Sequence, residues 1–177
     1  MLGTPNRGSF AIPLTLTGAE KVFKLLAKAD LSHSPDDLLG IISTFPGLYQ
    51  MLPSPSVDLD DDHARLFDKG SWGNRPVSAE LLAQADAFLR ALDRVVDPER
   101  LLYIAGANLE TPSRITIAGG RFTYAASLDG DSRVPHELGL LDGVTTYWVD
   151  RGVHGDLVKH PKVLQAITEL LHTGKTG

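Results

Sequence analysis

The 177-residue sequence contains no cysteine, which removes disulfide staples, thiolate zinc sites and cysteine nucleophiles from consideration and leaves the redox compartment open. It has no apolar run near the roughly 18 residues a membrane span needs, and residues 1–10 hold no apolar core of a secretory signal. Basic residues are in the minority. The 17 Lys and Arg against 22 Asp and Glu give a net charge of -5, the wrong sign for a broad face that wraps phosphate backbones, so no nucleic-acid partner is expected. Internal repeats and low-complexity tracts are also missing. What remains is a globular composition, 42% hydrophobic and 22% charged, with 17 Gly and 11 Pro that promise many loops. The length allows one ordinary domain, or one with a sizeable insertion. A soluble chain is expected, with a cytoplasmic location favoured.

Period and punctuation divide the chain into three zones. Residues 1–9, Met-Leu-Gly-Thr-Pro-Asn-Arg-Gly-Ser, read as the last one or two residues of an apolar strand entering a turn. A strand needs paired neighbours, so an abrupt start of this kind is expected of part of a longer protein.

Residues 10–96 read as helical. Thr17 and Glu20 have the spacing of a capping box, and Val22, Leu25, Leu26 and Ala29 follow at helical intervals. Ser34, with Pro35 at the first helical position and Asp36 and Asp37 in the first turn, opens a second helix that stops before Pro46. Ser78 caps the longest one, whose apolar stripe of Leu81, Leu82, Ala85, Phe88, Leu89, Leu92 and Val96 lies opposite Gln84, Arg90 and Asp93. The prolines of residues 45–55 predict a loop. Asp58, Asp60, Asp61, Asp62 and His63 cluster without the loop glycine or distal glutamate of a calcium-binding hand. They read as a solvated acidic loop leading into a short helix, and no metal site is expected.

From residue 97 to 177 the period changes. Residues 101–105 form a continuous apolar run, as in a strand buried on both faces. Residues 114–117 and 122–125, separated by Gly119 and Gly120, predict a hairpin, and residues 144–149 another strand. Pro161 opens a helix with Val163, Leu164, Ile167, Leu170 and Leu171 on one face. Strand, excursion, strand, helix predicts parallel strands with a helical crossover, hence an α/β fold. The final Gly174-Lys-Thr-Gly177 reads as a tail, because Glu169 stands where a phosphate loop needs its first glycine.

Two turns could carry chemistry. Asp129-Gly-Asp-Ser-Arg-Val-Pro135 and, after the 144–149 strand, Arg151-Gly-Val-His-Gly-Asp-Leu157 would lie together at the carboxyl edge of a parallel sheet. An imidazole acting as general base needs an acceptor on its far nitrogen, and a carboxylate there also stabilises the imidazolium. Asp131 and His154 fit those roles. Asp129 reads as a turn residue, and His136 shares the acid turn instead of facing it.

These residues resemble a known family. Gly3-Thr-Pro-Asn-Arg-Gly-Ser9, the Asp129–Pro135 turn, and His154-Gly-Asp-Leu with Pro161-Lys-Val-Leu-Gln-Ala-Ile167 are similar, in order and spacing, to segments of α/β-hydrolases of the esterase and lipase type, in the lecithin:cholesterol acyltransferase-like branch. The resemblance implies a Ser-Asp-His triad with Asp131 as acid and His154 as base, and a helical lid over residues 10–96. Residues 1–9 then end a core strand, and residues 97–177 form the carboxyl-terminal part of the core. It also implies that no cofactor is needed. Phe45, Leu48, Tyr49, Met51 and Leu52 could line a pocket for the acyl part of an ester or lipid-like substrate. One element of the pattern is missing: no Gly-x-Ser-x-Gly elbow occurs, and in Gly70-Ser-Trp-Gly73 the first glycine is replaced by Lys69. The expectation is therefore a carboxyl-terminal part of a serine hydrolase, inactive alone, whose partner is the missing amino-terminal half. The alternative is a noncatalytic interaction module of the same fold, able to self-associate through an open sheet edge.

Overall fold

The structure, a computed structural model, describes residues 1–92 and 95–176; Asp93, expected opposite the apolar stripe, and Gly177 of the tail lie outside the described residues. Helices come first: α1 (Ala11–Leu16), α2 (Lys21–Ala29), α3 (Pro35–Ile42), α4 (Pro46–Tyr49) and, after 3-10 helices at His63–Phe67 and Lys69–Trp72, α5 (Ala79–Leu92). Strands follow: β1 (Leu102–Ala107), β2 (Thr111–Ala118), β3 (Arg121–Ser127), then the one-turn α6 (His136–Gly139), β4 (Thr145–Asp150), a 3-10 helix at His154–Lys159 and α7 (Pro161–Thr173). This mixture of helices with small parallel and antiparallel sheets is α/β in the coarse sense. No helix among the described residues is long and apolar enough to cross a membrane.

Side chains at the helix ends explain several boundaries. Ser34 accepts from the Asp37 amide while Asp37 accepts from the Ser34 amide, a complete capping box behind Pro35. Ser78 accepts from Leu81 N at the start of α5. The Thr17–Glu20 box does not form. Thr17 closes α1, donating its hydroxyl back to the Pro13 and Leu14 carbonyls, and Glu20 itself caps α2 by accepting from Val22 N and Phe23 N. Nor do residues 45–55 stay irregular, because Pro46 sits at the first position of α4, where its missing amide has no intrahelical partner to lose.

Helical period marks a stripe without saying which stripe meets a neighbour, and α2 shows the difference. Its buried residue is Phe23, while Val22, Leu25 and Leu26 face solvent. In α5 the buried residues are Leu82, Ala85 and Leu89, with Phe88 and Leu92 exposed. In α7, Val163, Ile167 and Leu170 pack inward, whereas the expected Leu164 and Leu171 are exposed.

β1 and β4 pair in parallel, from Leu102 opposite Thr145 to Ala107 opposite Asp150. On its other side β1 takes Leu2 in a parallel bridge at Ile104, with Gly3 N donating to Ile104 O at 2.8 Å. The β1-to-β4 excursion is not the expected helical crossover, since it holds the antiparallel β2–β3 hairpin, the acid turn and the single turn of α6. Gly119 and Gly120 close the hairpin with φ of 55° and 72°, the positive values that a two-residue turn between twisted strands requires.

The largest core joins the helices to the inner face of the hairpin: Phe10, Leu16, Tyr49, Leu52, Leu66, Trp72, Leu82, Ile115, Ile117 and Leu138 are all buried in it. Each such side chain contributes roughly 1.5–3 kcal/mol by leaving water. Trp72 packs against Phe122 with ring centroids 5.0 Å apart and planes tilted by 43°, and donates its ring N–H to Leu66 O, so its polar atom is satisfied. Two smaller clusters cover β1, one on Tyr103 and Ala105, the other on Ile104 with Leu157 and Val163, which explains the unbroken apolar run of this strand.

The acidic stretch is solvated only in part: Asp58 and Asp60 are exposed and the short 3-10 helix follows as expected, but Asp61 and Asp62 are engaged. Asp61 accepts from Ile115 N and from the His63 ring, and Asp62 accepts from Ile117 N, so two carboxylates act as ladder partners for β2. The two β2 amides lie over 50 residues away, which is why local composition gave no sign of it.

Candidate functional site

Asp131 sits in a turn whose backbone is fixed from three directions. Its carbonyl accepts from His154 N at 2.9 Å, Ser132 N donates to Thr111 Oγ1 at 2.9 Å, and Ser9 donates its hydroxyl to Arg133 O. Ser132 takes φ 78°, uncommon outside glycine, and this lets the turn fold back so that Arg133 N and Val134 N both reach Asp131 Oδ1, at 3.0 and 2.8 Å. The other carboxylate oxygen, Oδ2, is left for His154.

His154 follows β4 after a turn pinned by Arg151 N donating to Ala107 O at 2.9 Å. Its Nδ1 donates to Asp131 Oδ2 at 2.9 Å; the Asp131 side chain is 3% exposed and that of His154 31%. The far nitrogen, Nε2, has no hydrogen-bond partner among the described residues. The arrangement is a buried carboxylate, ordered by two amides, holding one face of an imidazole whose other face is open. A carboxylate in that place fixes the Nδ1–H tautomer and leaves Nε2 as a base. Tyr103 adds to the surroundings: burial, and then the charge of Asp131, push its phenol far above the usual range, and it donates to Thr4 O at 2.9 Å.

The turn is also tied to the helices. Arg133 pairs with Glu20 at 3.1 Å, so the residue that caps α2 also contacts the acid turn. A cavity of about 560 Å³ opens there, lined by Leu14, Glu20, Val22, Glu110, Pro112 and Arg133 among others. A second, of about 530 Å³, lies on the hairpin side, where Ser113, Ser127, Asp129 and His136 meet the Arg114–Glu137 ion pair. Asp129 accepts from His136 N through its carbonyl, and the His136 ring meets Gly106 O and Trp148.

The structure brings Asp131 and His154 together but not the five apolar residues. Tyr49 and Leu52 are fully buried in the main core, Tyr49 donating to Ser43 O and accepting from Ser78 N. Leu48 packs against that core, while Phe45 and Met51 are exposed. None of the five lines either cavity beside the acid turn. Sequence reasoning missed the supports: Ser9, Glu20 and Thr111 are ordinary residue types, and only long-range contacts give them a part. Ser71 lies within the Lys69–Trp72 3-10 helix, not on a strand-to-helix elbow. Among the described residues no three His, Asp or Glu side chains gather as a metal ion would need. No protein-family model matches the chain, and no curated protein matches it either.

Proposed function

We propose that Asp131 and His154 are the acid and base of a Ser-His-Asp relay in an ester hydrolase of the α/β-hydrolase kind, with the serine supplied from outside these 177 residues. The observation that carries this reading is the 2.9 Å contact between a buried, amide-held carboxylate and a partly exposed imidazole whose Nε2 has no partner among the described residues. The His154 turn follows the carboxyl end of β4, and the Asp131 turn, which follows the antiparallel β3, bridges to Leu109 just past the carboxyl end of β1, the edge where sites form in parallel sheets. On this reading residues 10–96 are a helical lid, residues 1–9 the end of a core strand, and residues 97–177 the closing part of the core.

The chemistry follows from the geometry. The serine hydroxyl attacks the ester carbonyl while Nε2 of His154 takes its proton, and Asp131 stabilises the imidazolium. The proton then passes to the leaving alcohol. Water, or a second alcohol, repeats the sequence on the acyl-enzyme to give hydrolysis or acyl transfer. The oxyanion donors come with the elbow that bears the serine. An ester or lipid-like substrate fits this scheme, and no cofactor enters it.

The test is complementation. The chain alone should not turn over a chromogenic ester. Combined with a polypeptide that carries the elbow serine, it should do so, and His154→Ala should lower that rate by about six orders of magnitude. His154-dependent turnover by the chain alone would refute an external serine. Association without turnover would favour the noncatalytic module.

A further inference from the structure

We infer that Gly3 is a positioning residue for the Asp131–His154 pair, a role that rests on the relay reading above. Leu2 pairs with β1, and the chain then turns at Gly3 with φ 50°, laying its backbone against the hydrogen bond itself. A Cβ placed on Gly3 would lie 2.9 Å from Asp131 Oδ2, 3.3 Å from His154 Nδ1 and 2.8 Å from Leu157 Cδ1. Contacts under 3.0 Å do not persist, so something has to move. The Leu157 methyl is the end of a rotatable chain and can swing. Asp131 cannot follow, because Arg133 N and Val134 N hold its other oxygen.

The segment that bears Gly3 is equally fixed. Gly3 N donates to Ile104 O at 2.8 Å, Tyr103 donates to Thr4 O at 2.9 Å, and Arg7 N donates to Leu138 O at 2.8 Å. The softest point is therefore the hydrogen bond to the half-buried imidazole. Glycine lets a backbone cover Oδ2 where a side chain would part the pair or water would enter, and it leaves His154 as the single donor to that oxygen among the described residues. Its effect on the base runs through the tautomer that this bond selects.

The experiment reads the ring, not the activity. In the ¹⁵N-labelled chain at about pH 8, above the ordinary histidine range, long-range ¹H–¹⁵N correlation should show His154 as the Nδ1–H tautomer with a hydrogen-bonded, low-field proton. Assignment comes from the signal lost in His154→Asn. Gly3→Ala should lose that proton. Gly18→Ala is the matched control: Gly18 has φ 71°, so its backbone strain is similar, but a Cβ there meets only carbons of Phe23 and Leu39. The control should keep the signal.

Retention of the proton in Gly3→Ala, or its loss in both variants, overturns the assignment of Gly3 and leaves the relay reading standing. Absence of the proton in the unsubstituted chain overturns the relay reading itself. Should Gly3→Ala not fold in buffer, the spectrum is recorded in about 1 M trimethylamine N-oxide, which favours the compact state. Failure to fold there also overturns the inference, because the clash would then break the seat of the segment before it breaks the pair.

Discussion

Removing the Asp131 carboxylate leaves three donors without an acceptor: Arg133 N, Val134 N and His154 Nδ1. Asp131→Ala should therefore cost about 2 kcal/mol in urea-unfolding free energy, the scale of an orphaned buried polar group. Asp131→Asn, which keeps an acceptor for the amides, should lose less than half as much. Equal losses would mean that the amides are not the support described above. At this scale the sequence was informative in an uneven way. Asp131 and His154 stand in turns whose glycines and strand neighbours announce them, so their meeting could be anticipated. Ser9, Thr111 and Glu20 could not be found that way, because each is recruited by a partner roughly 20 to 125 residues distant.

Among the elements, the join between the acidic stretch and β2 has a pH signature. The Asp62 carboxyl is held below the ordinary carboxylate range by the Ile117 amide first and by Arg65 after it. A folded pKa below the unfolded one means that the stabilisation is complete above the unfolded value of about 4 and fades as pH falls through the folded value. The stability gap between the unsubstituted chain and Asp62→Asn, from urea unfolding at a series of pH values, should be largest near neutrality and shrink on acidification. A gap that does not vary with pH would remove the carboxylate from the join. Elements built by local rules were the legible ones: the hairpin announced by Gly119-Gly120, the capped start at Ser34, the long helix after Ser78. The acidic join was not, since a carboxylate serving as a ladder partner looks, residue by residue, like one facing water. The same limit applies to α2, where Phe23 is inside and the more regular stripe of Val22, Leu25 and Leu26 is outside.

Across the molecule, burial is unequal. One large cluster ties α1, α4, α5, the 3-10 helices at His63–Phe67 and Lys69–Trp72 and the hairpin together, while the β1–β4 pair relies on two small clusters and on Leu2. Regions with fewer buried contacts open at lower free energy. In native-state hydrogen exchange under increasing urea, the hydrogen-bonded amides of β4 should exchange through a partial opening before those of Ile115 and Ile117 in β2. Exchange of both sets at one common free energy would show a single cooperative unit. An α/β arrangement of mixed helices and strands was readable from the change of period near residue 97, but the content of the excursion was not, because a hairpin and a crossover helix both satisfy the demand that β4 return parallel to β1.

β1 sends consecutive residues to different company, Tyr103 to one small cluster and Ile104 to the other. A slip of one position along this strand would exchange the two and misfit both sides at once. The strand thus behaves as a keyed shaft: with its rotation and its height set, Leu2 on one flank and β4 on the other have a single seating, and the loops that leave their far ends emerge level. The alignment of a carboxylate and an imidazole that are 23 residues apart in the chain is in this sense tied to the seating of Tyr103 and Ile104, two neighbouring core side chains that take no part in the hydrogen bond between them.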